Sequence, residues 1–550
     1  MSKRILALVL TVLMLFACLA SCNKATLDPT ETEPTKAPTE TQKPTETKKP
    51  DTGNNTNNNN NNNETNKKPV IVDTNVDDSN LVIPDGPDIF KDGQIKLADT
   101  DVSQFTIVFP AEYTAAEQLI AYDLADWIEE ITGTPIQVVA DDVPATAHEI
   151  LIGDTNRAES DEVTKNGFAN NYTFYAKVAN GKVAIAAGHS DGYYIAQHSF
   201  MKVVERCKGQ LNCDFSNQSL SHDSLKKIST GAVQIDSTPT GLKYYKCTPA
   251  QEAYWAQAHS GAATNAKAAN GCRLDFETNS STLYFEVTAG NCVFLLNGKQ
   301  IATSLKSKFY RLSTLEGYKE GTNRITIILP GSNNEGWRLS KVWLDSGAET
   351  KRHEYDLKML FLGDSITQGY NNKGNEANTY TFYTSEYFNA ESIVQGNGGA
   401  VFDPKYLVEL DYEPDVIIVA YGCNDWSRYR NSDGNTIMQK IKAYFDKLVS
   451  LYPDTPIIAL SPIYRYDLDD HNASIDFIYM HAYIDDVCYN YKNVTVINGM
   501  DFVPHREADR DILWADDIHP NGQGFIEYGK SLTAAIKTQI EAIIAAKSNS

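Results

Sequence analysis

One serine and one histidine in this chain have neighbours that suit nucleophilic catalysis. Ser365 lies in the stretch FLGDSITQGY, directly after a short apolar run. His519 is the only histidine with an acidic residue, Asp516, three positions before it and a proline directly after it. A serine hydroxyl becomes a good nucleophile only when a base accepts its proton. On a tight turn, Asp516 can accept a hydrogen bond from Nδ1 of His519, which leaves Nε2 to face Ser365.

Both motifs also have a plainer interpretation. Gly-Asp-Ser is an ordinary turn composition, because all three residues favour turns and caps through local hydrogen bonds. Asp516 could equally cap the helix that is predicted after Pro520. The decapeptide alone therefore does not distinguish a nucleophile from a turn residue, and the surrounding elements have to decide.

The last 200 residues alternate apolar strands with amphipathic helices. Strands are predicted at 358–362, 392–395, 415–420, 456–460 and 494–497, and helices around 438–450, 475–490 and 522–546. This alternation is typical of a parallel α/β sheet with helices on both faces. Ligands bind at the carboxyl ends of the strands in such sheets, so Ser365, at the end of the first strand, is well placed.

Three further fragments follow Gly363–Thr367 in order along the chain. They are Gln395–Gly399, Tyr421–Asp425 and Asp516–Pro520. Together the four fragments resemble the sequence blocks of the SGNH (GDSL-type) hydrolases, in matching order, over residues 355–545. The resemblance implies a flavodoxin-like three-layer α/β/α domain with a parallel sheet, and an ester hydrolase activity.

The same resemblance implies roles for single residues. Ser365 would be the nucleophile, His519 the base and Asp516 the orienting acid, since the D-x-x-H-P pattern selects Asp516 over the adjacent Asp517. Threonine at position 367 weighs against G-x-S-x-G, the nucleophile elbow of the α/β-hydrolases. A cysteine nucleophile at Cys423 is an alternative, although no histidine follows it at a matching spacing.

Ester hydrolysis places negative charge on the carbonyl oxygen, and hydrogen-bond donors must be waiting for it. The implied oxyanion hole consists of the Ser365 backbone N–H, Gly399 and the Asn424 side-chain amide. We expect Asp364 and Asp425 to orient loops rather than to act in catalysis.

Two tryptophans are candidates for substrate binding. Trp426 and Trp514 each lie within five residues of a proposed site residue. Their rings could form the walls of a sugar site, or they could pack in the core.

Two further folded domains are predicted before a catalytic domain at 351–550. Residues 82–230 predict an α+β domain with a helix capped at Thr114–Glu117, and they resemble the accessory domain of several glycoside hydrolases. Residues 231–350 contain short β-prone runs separated by turns such as Asn297-Gly298. They predict a β-sandwich similar to the jelly-roll domains that precede some carbohydrate esterases.

The N-terminus predicts export. Residues 1–22 combine a basic start, an apolar run and Leu19-Ala-Ser-Cys22, which resembles the bacterial lipobox, in which the cysteine is lipidated. Residues 23–81, rich in Thr, Pro and Asn, predict a disordered tether. We therefore expect a bacterial cell-surface lipoprotein that is held to the membrane only by its lipid anchor at Cys22. An ordinary secretion signal with an incidental cysteine is the alternative.

The net charge and the spacing of the cysteines argue against nucleic-acid binding, a metal site and a disulfide framework. The formal net charge of −22 argues against nucleic acid, because a polyanion would be repelled. No CxxC or HExxH spacing suggests a metal, and we expect no cofactor. Seven scattered cysteines follow Cys22 and do not form a disulfide framework, although Cys207 and Cys213 could pair.

These observations favour a serine esterase that removes O-acyl groups, chiefly acetyl, from extracellular carbohydrate. One alternative keeps the chemistry but changes the substrate to lipid or aryl esters, as in a lysophospholipase. Another is a carbohydrate-binding surface lipoprotein with an inactive hydrolase fold. The presence of Ser365, Asn424 and His519 argues against the inactive fold.

Overall fold

The computed structural model describes residues 94–258, 261–288, 290–305, 307–331, 338–468 and 472–548. The predicted signal peptide at 1–22, lipidation at Cys22 and the predicted tether at 23–81 lie outside these residues. Within the described ranges, no helix combines the length and the apolar character needed to cross a bilayer.

A mixed six-stranded sheet and a small three-stranded sheet form the first region. The elements are β1 (Lys96–Leu97), β2 (Thr100–Asp101), β3 (Thr106–Phe109), α1 (Ala115–Thr132), β4 (Gln137–Ala140), β5 (Glu149–Ile152), α2 (Ala158–Thr164), β6 (Phe174–Ala179), β7 (Lys182–Ala187), α3 (Ser190–Arg206), β8 (Gln210–Leu211) and β9 (Phe215–Ser216). The strand order is β4-β3-β5-β7-β6-β9, and the first four strands are parallel. Helices α1 and α3 cover one face and α2 the other. Helix α1 begins at the predicted capping box, Thr114 with Glu117, and ends at Gly133 in the left-handed conformation.

Two sheets packed face to face form the second region. The elements are β10 (Gln218–Ser219), α4 (His222–Lys227), β11 (Ser229–Thr230), β12 (Gln234–Thr238), β13 (Gly241–Tyr245), α5 (Pro249–Ala258), α6 (Ala262–Ala266), β14 (Arg273–Thr278), β15 (Thr282–Val287), β16 (Cys292–Leu296), β17 (Lys299–Leu305), β18 (Ser307–Arg311), β19 (Asn323–Ile328), β20 (Leu339–Leu344) and β21 (Thr350–Arg352). The predicted turn Asn297-Gly298 joins β16 to β17 with both residues at positive φ, as a type I′ hairpin requires. Phe285 and Phe294 belong to opposite sheets, and their ring centroids lie 6.3 Å apart in the shared core. The predicted β-sandwich is thus present.

A five-stranded parallel sheet forms the third region. The elements are β22 (Leu357–Gly363), α7 (Ser365–Gln368), α8 (Tyr380–Tyr387), β23 (Ala390–Gly396), β24 (Val416–Ala420), α9 (Cys423–Tyr429), α10 (Gly434–Leu451), β25 (Ile457–Leu460), α11 (Tyr479–Cys488), β26 (Val494–Ile497), α12 (Arg510–Leu513) and α13 (Gly522–Ser548). All five predicted strands are present. The helix predicted over 475–490 is shorter and begins at Tyr479; the backbone of Ile475 instead bonds to the Arg430 carbonyl and to the indole of Trp426.

Side chains alternate between the two faces of this sheet. Leu360 and Leu362 on β22 pack in the layer that contains α10 and α11, while Met359 and Phe361 pack against α13. The predicted three-layer α/β/α arrangement is therefore confirmed, although the domain boundaries stay predictions. The strand order is β23-β22-β24-β25-β26. The chain therefore passes from β22 to its neighbour on one side, β23, and then crosses to its neighbour on the other side, β24. Such a switch point opens a crevice at the carboxyl ends of the strands.

Candidate active site

Ser365 is the first residue of the one-turn helix α7, which starts where β22 ends. The carboxylate of Asp364 caps this helix by accepting a hydrogen bond from the Ile366 N–H at 2.9 Å. Gly363 has no space for a side chain, because a Cβ would lie 1.9 Å from Oγ1 of Thr367. This tight strand-to-helix turn places the half-buried Ser365 at the switch-point crevice.

His519 and Asp516 lie in the loop that precedes α13. Oγ of Ser365 is 2.9 Å from Nε2 of His519, and Nδ1 of His519 is 2.9 Å from Oδ2 of Asp516. An ionised carboxylate has no proton to donate, so Nδ1 carries the proton and Nε2 accepts one from the serine hydroxyl. The structure brings the three predicted residues together in one hydrogen-bonded chain.

The Asp516 carboxylate is oriented by its own loop. Oδ1 accepts hydrogen bonds from the backbone N–H groups of Ile518 and His519 at 2.9 and 2.7 Å. The side-chain amide of Asn371 donates to Oδ2 at 2.7 Å. Burial disfavours the charge on Asp516, but the two backbone N–H groups and the adjacent imidazole outweigh it and lower the pKa of this carboxyl. Asp516 is therefore ionised at neutral pH.

The structure distinguishes Asp516 from the alternatives that the sequence left open, which were Asp517 as the acid and a helix-capping role for Asp516. Asp517 pairs with Arg510 on α12. Helix α13 is capped by Asn521, whose Oδ1 accepts hydrogen bonds from two N–H groups of the first turn. Asp516 is thus neither a helix cap nor interchangeable with Asp517.

The predicted oxyanion donors follow three neighbouring strands. The Ser365 N–H stands at the start of α7, where helical N–H groups lack an intrahelical partner. Gly399, after β23, has φ of 78°, and we find no acceptor for its N–H among the residues that the structure describes. The Asn424 amide, after β24, donates to Oδ2 of Asp364 at 3.2 Å and to the Ala400 carbonyl at 3.1 Å. An oxyanion would compete with these two acceptors for the Asn424 amide.

Asp364 and Asp425 are buried below these donors. Burial raises the pKa of each carboxyl to about 7, although each accepts a backbone N–H, from Ile366 and from Phe402. The charge of Asp364 raises the pKa of Asp425 further. Asp364 caps α7 and accepts from the Asn424 amide, and Asp425 accepts the backbone N–H of Phe402, so both carboxyls bond to segments that surround the site.

Cys423 is buried beside Asn424. Burial raises the pKa of its thiol to about 12, and its sulfur lies 3.5 Å from Nη1 of Arg465. A closed, protonated thiol is neither nucleophilic nor accessible. The alternative of a cysteine nucleophile is therefore excluded.

Of the two interpretations of Trp426 and Trp514, the structure favours packing in the core. Only 1% of Trp426 and 5% of Trp514 is exposed, and their indole N–H groups donate to the carbonyls of Ile475 and Pro504. A ring buried to this extent cannot offer a face to a sugar. Distance along the chain had placed both residues near the site, but it gave no information about the direction of their side chains.

Tyr370 is the aromatic residue that sequence reasoning missed. It is 45% exposed, and its ring centroid lies 4.9 Å from that of His519 in an edge-on arrangement. The signal was its position directly after Gly369, which ends α7 in the left-handed conformation. The chain reverses there and returns to the crevice.

Metal and disulfide chemistry find no support in the described ranges. No group of three or more His, Cys, Asp or Glu side chains is placed there to hold a metal ion. Cys207 and Cys213 are free thiols, as are the other five cysteines that the structure describes.

A family comparison agrees with this geometry. Residues 361–525 match the model of the GDSL-like Lipase/Acylhydrolase family. The chain carries a GDSL-like acylhydrolase domain. The matched range includes Ser365, Asn424 and His519, and it confirms the resemblance to SGNH ester hydrolases. No curated protein matches the chain.

Solved structures are similar to this chain at low sequence identity. A salicylyl-acyltransferase, SsfX3, from a tetracycline biosynthetic pathway is 17% identical, with 59% of this chain and 97% of that chain covered at a TM-score of 0.50. A family two carbohydrate esterase from Clostridium thermocellum, in complex with cellohexaose, is 17% identical, with 57% of this chain and 98% of that chain covered at a TM-score of 0.39. An acetyl xylan esterase, Est2A, from the rumen bacterium Butyrivibrio proteoclasticus is 16% identical, with 50% of this chain and 91% of that chain covered at a TM-score of 0.37. The first likeness concerns the fold, and it covers more of the chain than residues 351–550 contain, so the shared fold includes earlier elements.

Proposed function

We propose that this protein is an exported serine esterase that hydrolyses O-acyl esters, chiefly O-acetyl esters, on extracellular carbohydrate. The observation that carries the proposal is the hydrogen-bonded chain from Ser365 through His519 to Asp516, with 2.9 Å at each contact. It lies within the GDSL-like acylhydrolase domain.

The geometry supports acyl transfer to Ser365 as the first half of the reaction. As Oγ attacks the ester carbonyl, Nε2 of His519 accepts the hydroxyl proton, and the ionised Asp516 stabilises the resulting imidazolium. Negative charge develops on the carbonyl oxygen, which can accept from the N–H groups of Ser365 and Gly399 and can compete for the Asn424 amide. The intermediate collapses when His519 returns the proton to the departing sugar oxygen, which leaves an acyl-enzyme.

The second half repeats the same proton transfers with water. His519 takes a proton from water, and the hydroxide attacks the acyl carbonyl. The Ser365 oxygen leaves and regains its proton from His519. Acetate is released, and no metal or cofactor is needed for any step.

The surroundings of the triad favour a carbohydrate substrate over a lipid. Exposed Tyr370 offers an aromatic ring of the kind that packs on sugars, and Asn371 lies beside it with its amide on Asp516. The segment 368–378 that borders the nucleophile is mostly polar. A lipid or aryl esterase would need a wide apolar surface at this place.

The proposal includes anchoring at the cell surface. The lipobox-like sequence that ends at Cys22 supports lipidation, and the composition of residues 23–81 supports a flexible tether. A coil of this length reaches about 40 Å, enough to hold the enzyme away from the membrane.

Replacement of the nucleophile tests the chemistry. We expect Ser365→Ala to lower hydrolysis of 4-nitrophenyl acetate by at least about 10⁴-fold, while Ser450→Ala, on an exposed helix position, keeps the parent rate. Activity that survives Ser365→Ala would overturn the mechanism.

A substrate series tests the carbohydrate part. We expect acetate release from acetylated polysaccharides such as xylan, and rates on aryl esters that fall as the acyl chain is lengthened. Faster turnover of long acyl chains, with no release from acetylated polysaccharide, would instead support the lipid esterase.

A further inference from the structure

The loop that carries Gly399 is in contact with a distant part of the chain. We name residues 395–400 the oxyanion loop, and we name residues 246–258 and 261–270, with helices α5 and α6, the helical arm. The arm belongs to the β-sandwich region and is separated from the loop by more than 120 positions. Polar contacts from the arm reach most of the oxyanion loop that precedes Gly399.

Lys246 makes the most informative of these contacts. It directly follows β13 and is fully buried, and its Nζ donates to the Gly396 carbonyl at 2.5 Å and to Oδ1 of Asn270 at 2.8 Å. Burial lowers the pKa of this lysine to about 8. A fully buried lysine is costly unless it is hydrogen-bonded, so the Gly396 carbonyl is held firmly in place.

One pair of side-chain amides and one side-chain to backbone hydrogen bond also join the arm to the loop. Gln251 and Gln395 exchange two hydrogen bonds, at 2.9 and 3.0 Å, and the Gln395 amide also donates to the Lys246 carbonyl at 2.8 Å. The Asn397 amide donates to the Ala262 carbonyl at 3.4 Å.

The arm also reaches the helix of the nucleophile. The Asn270 amide donates to the Gln368 carbonyl at the end of α7. The Gln368 side chain in turn accepts the Gly398 N–H at 2.8 Å. Residues 395, 396, 397 and 398 are thus tied to the arm, the last of them through Gln368.

We infer that Lys246 is a positioning residue of the esterase, and that the helical arm holds the oxyanion loop in the geometry that stabilises the transition state. The inference rests on the proposed function, since it assigns Gly399 a role in ester hydrolysis. The donors of the oxyanion hole all belong to the parallel α/β region, but the position of one of them, Gly399, therefore depends on the β-sandwich region.

The test replaces the buried ammonium and leaves most of the side-chain volume. We expect Lys246→Met to lower kcat for 4-nitrophenyl acetate by about 10- to 100-fold and to change KM by less than about 3-fold, because misplaced donors affect the transition state more than the ground state. Lys243→Met is the matched control. Lys243 lies on the same sandwich region, with Nζ 4.4 Å from the Tyr245 ring centroid, and its variant should keep the parent kcat.

Hydrogen exchange gives a readout that does not depend on activity. In Lys246→Met, peptides that contain residues 395–400 should exchange at least about 10-fold faster, while peptides that contain the loop at 515–520 should match the parent. Gln251→Leu should give the same pattern to a smaller degree, and it provides the test if Lys246→Met does not fold. Parent-like exchange in 395–400 in the folded variants, or equal acceleration in both loops, would overturn the inference.

Failure of the proposed function has a different signature. In that case the parent protein itself would show no hydrolysis that depends on Ser365, whatever residue stands at position 246. The exchange experiment would still report whether Lys246 holds the loop. A kcat loss matched by an equal rise in KM, with unchanged exchange, would show that the arm only contacts substrate.

Discussion

The two loops that complete the active site are built in different ways. The catalytic loop, residues 515–520, is organised mainly by its own backbone, since the carboxylate of Asp516 accepts N–H groups two and three positions ahead. The oxyanion loop has one internal backbone hydrogen bond, from the Ala400 N–H to the Asn397 carbonyl, and it is bonded both to its own α/β region and to residues more than 120 positions away. One loop is therefore organised mainly by local contacts, and the other depends in part on the packing between two regions.

This difference has a physical consequence for robustness. Short-range hydrogen bonds form wherever the loop itself is folded, because little chain entropy is lost in closing a turn of four residues. Long-range contacts form only when both regions are folded and docked. We expect changes in the catalytic loop to alter proton transfer, and changes at the oxyanion loop to alter transition-state stabilisation.

The largest expected effect concerns the acid of the catalytic loop. Asp516→Asn should lower kcat/KM by about 10³- to 10⁴-fold. A neutral amide neither fixes the tautomer of His519 with the proton on Nδ1 nor stabilises the imidazolium that forms during the reaction. Asp517→Asn, the neighbouring change that breaks the pair with Arg510, should cost less than about 10-fold. Equal losses for the two variants would contradict the assignment, and initial rates on an aryl acetate measure both.

The next effect concerns an oxyanion donor. Asn424→Ala should lower kcat by about 10²- to 10³-fold, with little change in KM, as expected for a donor that acts on the developing charge. Asn375→Ala, which removes an amide bonded to Gln300 outside the triad, is the control. A parent-like kcat for Asn424→Ala would remove this residue from the site.

A smaller effect is expected for Asn371, which lies outside the catalytic loop and donates a hydrogen bond to Asp516. Asn371 has φ of 70°, so glycine is the substitution that removes its amide without backbone strain. Asn371→Gly should lower kcat/KM by about 10-fold, because one hydrogen bond to the Asp516 carboxylate is lost. A loss as large as that of Asp516→Asn would show that the catalytic loop depends on Asn371 as much as on its own backbone hydrogen bonds.

The smallest effect concerns the buried carboxyl of Asp425. Its folded-state pKa of about 7 is above the unfolded value of about 3.9, so between these pH values the folded protein holds a proton that the unfolded chain has lost. The stability that this proton contributes is present below about pH 4 and decreases as the pH rises to about 7. Between about pH 5 and pH 8 the unfolding temperature of the parent should therefore decrease by about 2 °C more than that of Asp425→Asn.

Asp433→Asn is the control for this measurement. Asp433 caps α10, and its hydrogen bonds with Thr436 lower its pKa, so its charge is constant over the same interval. Identical pH slopes for the parent, Asp425→Asn and Asp433→Asn would contradict a titrating Asp425.

The features that could be predicted from the sequence are those set by short spacing. The triad of Ser365, Asp516 and His519, the capping box of α1 and the Asn297-Gly298 turn each involve groups a few positions apart, or motifs with a known order. The strands of the parallel sheet were also predicted, because buried parallel strands are short, uninterrupted apolar runs.

The missed features depend on which way a side chain points after the chain has folded. Trp426 and Trp514 turn into the core although their neighbours face the crevice, and Tyr370 returns to His519 because Gly369 reverses the chain. The lysine at 246 stands in a polar-looking stretch, and its burial against Gly396 results from the docking of two regions. No local pattern contains that information.

The hydrogen-bonded pair of Gln251 and Gln395 limits which regions of such a protein can be exchanged separately. An exchange of the hydrolase segment for that of another protein, with the β-sandwich kept, would have to supply a matching glutamine and a carbonyl for Lys246. A graft without them would bury an ammonium group with too few acceptors, at a cost that a marginally stable protein cannot absorb. The two regions therefore form a single unit of exchange for protein engineering, and a chimera should join the chain before β10, which begins at Gln218, rather than near residue 351.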